Sequence, residues 1–231
     1  ELSRYFWECG GVPFRCPLLA ECRVCRPSVE WCFRHEDRFP TGVCGTTYNL
    51  LGGPQDDAAE KRLWLMWFLK LSLGGTPLFY MGEELGTAMA RKDSDPIDQR
   101  TDTRSVKRLP LTVEQIETRG GDNRRLFDTL QGLIEWRKKH AFLLAEPEFF
   151  DTGSESVLGF KKPDQDRTVY LLANCCGQSQ LAVIPIGNAS GKVELVGPPG
   201  SARHVREWVS LGSTNALVVN LAPYGAWAVG I

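Results

Sequence analysis

Two apolar periodicities divide the chain. Residues 56–75, "DDAAEKRLWLMWFLKLSLGG", open on two acids and close on two glycines. Acids suit the positive end of a helix dipole, and glycine ends helices in the left-handed conformation. The apolar positions between them run nearly all round a 3.6-residue period, which predicts a well-buried helix. A second helix is predicted over about residues 123–140. Its stripe is Leu126, Phe127, Leu130, Leu133, Ile134 and Arg137, and its basic end is Arg137-Lys138-Lys139-His140. Between the helices lies "GGTPLFYMGEELGT", residues 74–87. Residues 76–81 read as a short buried strand that runs straight into two adjacent carboxylates, Glu83 and Glu84. A polar, charge-rich stretch over 86–121 follows, and a loop of that length is more often functional or disordered than filler.

After Pro147 the period changes from 3.6 to 2. Short β-type runs recur at 157–161, 168–174, 180–186, 192–196, 203–209, 216–221 and 226–231, separated by turn residues such as Gly153, Asp164, Gly177 and Pro223. Short strands at this spacing predict an antiparallel sandwich. The pattern therefore divides the chain near residue 145, with an α/β front and an all-β back. Residues 1–43 sustain neither period and are dense in Arg, Cys and Pro, so they form an atypical Cys/Arg-rich segment.

The bulk composition narrows the function classes. A chain of 231 residues suits one domain or two small ones, and 42% hydrophobic with 24% charged residues supports a buried core. A net charge of −1 gives no general attraction to nucleic acid or anionic lipid, so neither is an expected partner. The apolar region 63–81 is interrupted by Lys70 and by Gly74-Gly75-Thr76-Pro77, which argues against a membrane span. The opening Glu1-Leu2-Ser3 resembles a fragment or a processed chain and carries no targeting signal; a cytoplasmic location is favoured. Six of the eight cysteines lie in the first 44 residues. Cys22-x2-Cys25 and Cys32-x2-His35 have zinc-ligand types, but the gap between the pairs is short for a zinc module. A disulfide framework and reduced thiols are the alternatives. No metal and no cofactor is assigned.

The segments "CGTTYNLLGG" (44–53), "GGTPLFYMGEELG" (74–86), "DTRSVKRLP" (102–110), "RLFDTLQGLIEWRKKHAFL" (125–143) and "VNLAPYGAWAV" (219–229) occur in a telling order. Together they resemble the C-terminal portion of the α-amylase superfamily, glycoside hydrolase family 13, and most closely its amylosucrase branch. The resemblance implies the last part of a (β/α)8 TIM barrel over residues 44–145, followed by a β-sandwich domain over residues 146–231. Residues 76–81 would be barrel strand eight. In such barrels only the C-terminal ends of the strands reach the pocket. A wholly apolar strand that ends in Glu83 and Glu84 at the rim is then reasonable. Each of these glutamates either contacts sugar or pairs with an arginine, such as Arg104 or one from a neighbouring strand.

Family chemistry cleaves α-glucosidic bonds with retention, through a nucleophile and an acid about 5 Å apart. No segment of this sequence resembles the strands that carry those two groups in the family. The strand-seven motif has a counterpart in "FRHEDRF", residues 33–39, within a possible strand near 29–37. His35 and Asp37 are the candidate transition-state stabilisers, with Glu36 standing where the family has Asp. Arg104 and Arg108 match family positions that donate to substrate hydroxyls, or else form surface pairs with Asp98 and Asp102. Ser105 and Lys107 depart from the family's Trp and His. By resemblance the substrate is sucrose or an α-glucan oligosaccharide, and a partner for the chain would be the N-terminal part of the barrel. A non-catalytic carbohydrate-binding or scaffold remnant is the alternative, with Trp208, Tyr224 and Trp227 as sugar platforms.

Overall fold

The computed structural model describes residues 43–45, 56–79, 82–86, 88–90, 111–119, 121–187, 194–198, 205–211 and 214–231. The chain divides into two compact units. Among the described residues one draws on residues 65–77 and 132–231, and the other on residues within 22–64 and 78–131.

The second of these units holds a two-stranded antiparallel ladder of β1 (Val43–Gly45) and β2 (Ala88–Ala90). Helix α1 (Ala59–Ser72) begins in it. Asp56 starts that helix: its Oδ1 accepts the Ala58 N–H at 2.8 Å and its carbonyl accepts the Ala59 N–H at 2.9 Å. The Ala58 N–H and the Arg62 guanidinium, which also pairs with Asp56, hold this carboxyl below the usual carboxylate range. Helix α2 (Val113–Glu117) opens with a reciprocal capping box. Thr112 Oγ1 accepts the Gln115 N–H at 3.1 Å, and Gln115 Oε1 accepts the Thr112 N–H at 2.9 Å.

Helix α3 (Arg124–Lys139) follows a short 3-10 turn, Gly121–Asn123. Its buried seam is Leu126, Leu130, Leu133 and Trp136. Trp136 takes the place that the sequence stripe gives to Ile134 and Arg137, because its indole N–H donates to the Val196 carbonyl at 2.6 Å and its ring stacks on Phe68. Arg137 serves another purpose. Its guanidinium donates to the Leu71 carbonyl and, at 2.7 Å, to the Gly75 carbonyl, and so supplies partners at the C-terminal end of α1, where helix carbonyls lack intrahelical donors.

The larger unit is built on two antiparallel sheets. The first has the order β3-β4-β5-β10-β7, with β3 (Glu148–Phe150), β4 (Val157–Asp164), β5 (Arg167–Asn174), β7 (Glu194–Leu195) and β10 (Ala226–Gly230). The second has the order β6-β9-β8, with β6 (Gln180–Gly187), β8 (Val205–Leu211) and β9 (Thr214–Leu221). Alternate residues of each meet in one core: Val157, Tyr170, Leu172, Trp227 and Val229 from the first sheet, and Ala182, Ile184, Ile186, Leu217, Val219 and Leu221 from the second. The other face of the first sheet is buried too, at Phe160, Lys162, Val169, Leu171, Ala173 and Ala228. Strands covered on both faces lose the apolar-polar alternation, and that is why "VYLLAN" reads as an unbroken run. The result is the expected β-sandwich, with one further strand, β3, ahead of the first expected run.

One expectation, the buried strand over 76–81, is corrected over its described part, residues 80 and 81 lying outside the described residues. Residues 76–79 form no strand, and Leu78 is 76% exposed. A parallel barrel strand is buried only when paired on both sides, and every ladder among the described residues is antiparallel. Helix α1 is well buried, as its nearly all-round apolar pattern predicts: Leu63, Trp67, Phe68 and Leu71 are buried and Trp64 is half-buried. No helix of the described residues is long and apolar enough to cross a membrane.

Candidate functional site

Glu83 and Glu84 lie in a single 3-10 turn, Glu83–Leu85, bracketed by two left-handed glycines, Gly82 at φ 92° and Gly86 at φ 59°. A β-carbon at either glycine would be strained, so this bracket requires glycine. Leu85 is buried and anchors the turn. Asn123 fastens it from α3's entry by donating to the Leu85 carbonyl at 3.2 Å. Both glutamates are half-buried. The Glu84 carboxylate reaches back to accept the Gly82 N–H at 3.1 Å. The turn therefore fixes two carboxylates side by side, one of them already engaged by the backbone that presents it.

His35, Asp37, Arg104 and Arg108 lie outside the described residues, as do the zinc-type cysteines and His35's neighbours. The structure thus places the glutamate pair and leaves its proposed arginine partner undescribed. No group of His, Cys, Asp and Glu among the described residues has the arrangement to hold a metal ion. Of the three candidate sugar platforms, Trp227 is 3% exposed and belongs to the sandwich core, so it cannot stack on a ligand. Tyr224 is half-buried at a left-handed position, φ 55°, with its N–H donating to the Cys176 carbonyl. The Trp208 side chain lies outside the described residues.

Two features were not singled out from the sequence. The first is Lys162, fully buried in the middle of β4. Its Nζ donates to the Leu143 carbonyl at 3.0 Å and to the Ala145 carbonyl at 2.6 Å. Burial, and next to it the nearby Arg137 guanidinium, bring this ammonium down to about 8, against the pull of Glu146. The second is an open cleft of about 500 Å³ lined by Lys139, His140, Phe142 and the β4–β5 hairpin residues Asp164, Gln165, Asp166 and Arg167. The sequence signal for the hairpin is "DQDR", which reads as a turn and nothing more. Gln165 sits in it at φ 56°, a conformation that non-glycine residues rarely take. His140 Nδ1 pairs with the Trp136 carbonyl at 2.8 Å, so that nitrogen carries the proton, and its ring meets Phe142 edge-on.

No family model matches the chain. Solved structures do share its fold. One is a debranching enzyme from Nostoc punctiforme, 16% identical with a TM-score of 0.54, the match covering 81% of this chain and 33% of that one. Another is an AmyP variant in complex with maltotriose, 14% identical with a TM-score of 0.55, covering 80% and 37%. A third is the α-glucosyl transfer enzyme XgtA, 21% identical with a TM-score of 0.54, covering 80% and 38%. At these identities the likeness establishes the fold. The chain spans about a third of the length of the solved chains it matches.

Proposed function

We propose that this chain is the C-terminal part of a retaining α-glucosyl hydrolase or transferase of the amylosucrase type, acting on sucrose or α-glucans. In this reading residues 44–145 complete a (β/α)8 barrel whose remaining strands are a separate segment or partner, and residues 146–231 form its sandwich domain. The observation that carries the reading is the fold shared over four fifths of the chain with a debranching enzyme, an AmyP variant in complex with maltotriose and an α-glucosyl transfer enzyme. The five ordered segments from residue 44 to residue 229 add the sequence side of the same reading.

Retaining chemistry needs a nucleophile and an acid on opposite sides of the glycosidic bond. This chain contributes neither; its role is the rim of the pocket. Glu83 and Glu84 are held rigidly by the glycine-bracketed turn, and Glu84 orients Arg104 or a barrel arginine toward substrate. His35 and Asp37 hold sugar hydroxyls, and Arg104 and Arg108 donate to them. The 231-residue chain alone is expected to release no reducing sugar from sucrose, maltose or soluble starch.

Reading the coding DNA ahead of the Glu1 codon tests this. The expected result is an open frame with an Asp and a Glu in barrel-strand contexts, whose longer product transfers glucosyl groups with retention. A stop codon in its place would overturn the enzyme reading in favour of a carbohydrate-binding remnant. Turnover by the 231-residue chain that vanishes on replacing one of its own carboxylates would overturn the division of labour.

A further inference from the structure

We propose that the cleft between the end of α3 and the β4–β5 hairpin is a binding site for a neutral, polyhydroxylated ligand; on the α-glucan reading above, which this inference rests on, the ligand is a glucan chain. Its volume of about 500 Å³ falls in the range of small-molecule sites, about 300–1,000 Å³. The lining groups fall into two sets. Asp164 and Arg167 are spent on each other, at 2.8 Å, and Arg167 also reaches Glu194 at 2.5 Å. Lys139, Gln165, Asp166 and the Nε2 of His140 have no hydrogen-bond partner among the described residues.

The chemistry of that second set defines the ligand. Lys139 donates only, and Asp166 accepts only. Gln165 does both, and His140 Nε2 accepts when Nδ1 holds the ring proton. Among the lining residues Lys139 and Arg167 balance Asp164 and Asp166, so the lining itself carries no net charge to select a phosphate or an ammonium group. A hydroxyl is donor and acceptor at once, and a sugar presents several at fixed spacing. Unspent donors and acceptors of both kinds around one neutral cleft match that pattern. Gln165 contributes to the presentation: its left-handed conformation turns the hairpin within two residues and keeps Gln165 and Asp166 exposed at the tip. Phe142 is buried beneath His140 and offers no open ring face, so binding rests on hydrogen bonds and is expected to be weak.

The test is electrophoresis of the full chain through gels containing amylopectin, with calorimetric titration of maltoheptaose. Lys139 and Asp166 are exposed, so replacing them leaves the core intact. The expected result is retardation by amylopectin, with an apparent Kd for maltoheptaose raised at least fivefold by Asp166→Ala and further by the Lys139→Ala/Asp166→Ala double variant, at an unchanged thermal midpoint. Binding undiminished in the double variant would overturn the site. So would absence of any glucan binding, or competition by inorganic phosphate. Failure of the longer protein to transfer glucose would sink the enzyme reading but not this one, because retardation needs no catalysis.

Discussion

Replacing Lys162 with methionine removes an amine that two buried carbonyls depend on and keeps a side chain of similar length. Leu143 O and Ala145 O would both lose their donor. A buried polar group left unsatisfied costs about 1–3 kcal/mol, so losing the donor to both carbonyls should make the variant about 2–6 kcal/mol less stable where the lysine is neutral. A neutral amine still has two hydrogens for two carbonyls, and no charge is then buried. The pH dependence gives the sharper test. The folded-state value of about 8 lies below the ordinary 10.5. Between them the folded protein has released a proton that the unfolded chain still holds, so stability from this group rises with pH. Below about 8 both states hold the proton and the cost of burying the charge is fully present. The stability gap between parent and Lys162→Met should therefore be smallest near pH 7 and widen toward pH 10, with a slope of at most about 1.4 kcal/mol per pH unit. Tyr170, whose hydroxyl burial pushes up, weakens folding at high pH in both proteins, so the difference largely cancels it. Urea unfolding followed by tryptophan fluorescence at half-unit steps from pH 7 to 10 measures the gap. A gap that stays flat, narrows with pH, or has the methionine variant more stable at pH 10 would refute the reasoning.

Gly159→Ala should destabilise the sandwich by about 1–3 kcal/mol, because its β-carbon would lie 2.4 Å from Thr152 Cγ2 and 2.9 Å from the Phe150 ring; urea midpoints measure it. Arg137→Met should cost about 1–3 kcal/mol by leaving the Leu71 and Gly75 carbonyls without their guanidinium donor, and thermal unfolding should show the loss. In the longer protein, Glu84→Gln should reduce kcat/KM more than Glu83→Gln does, and Arg104→Ala should not add to it; additive losses in a double-mutant cycle would remove the pairing.

The helices and the sandwich were legible because each has a local signature. Acids before residue 59 and glycines after residue 72 bracket α1, and the change to period 2 marks the strands. Where the sequence misled, the deciding interactions were between distant residues. Residues 76–79 have strand composition, but strand formation depends on neighbours, and among the described residues none covers Leu78. Trp136 enters the α3 seam because of Val196, 60 residues away. Lys162 is invisible as a buried amine because its partners are backbone carbonyls, which every sequence contains. The sequence singled out Glu83 and Glu84 as the end of a strand and not as the glycine-bracketed turn that holds them, and the cleft at His140 and Asp166 joins a helix end to a hairpin that no spacing rule connects.

The first sheet places β10, the last strand of the order, between β5 and β7. During synthesis, β3, β4 and β5 can pair as soon as they leave the ribosome, since they follow one another. Among the described residues β7's one ladder is with β10, so β7 does not join them at this stage. Trp136 is bonded to Val196 just beyond β7, so α3 too lacks its final anchorage until then. Until residues 226–230 emerge, the nascent chain carries an open edge at β5, of the kind that invites pairing with other chains. A ribosome stalled a few codons short of Ala226 should therefore hold a chain that chaperones bind and proteases cut, and a chain released with all of Ala226–Gly230 should not.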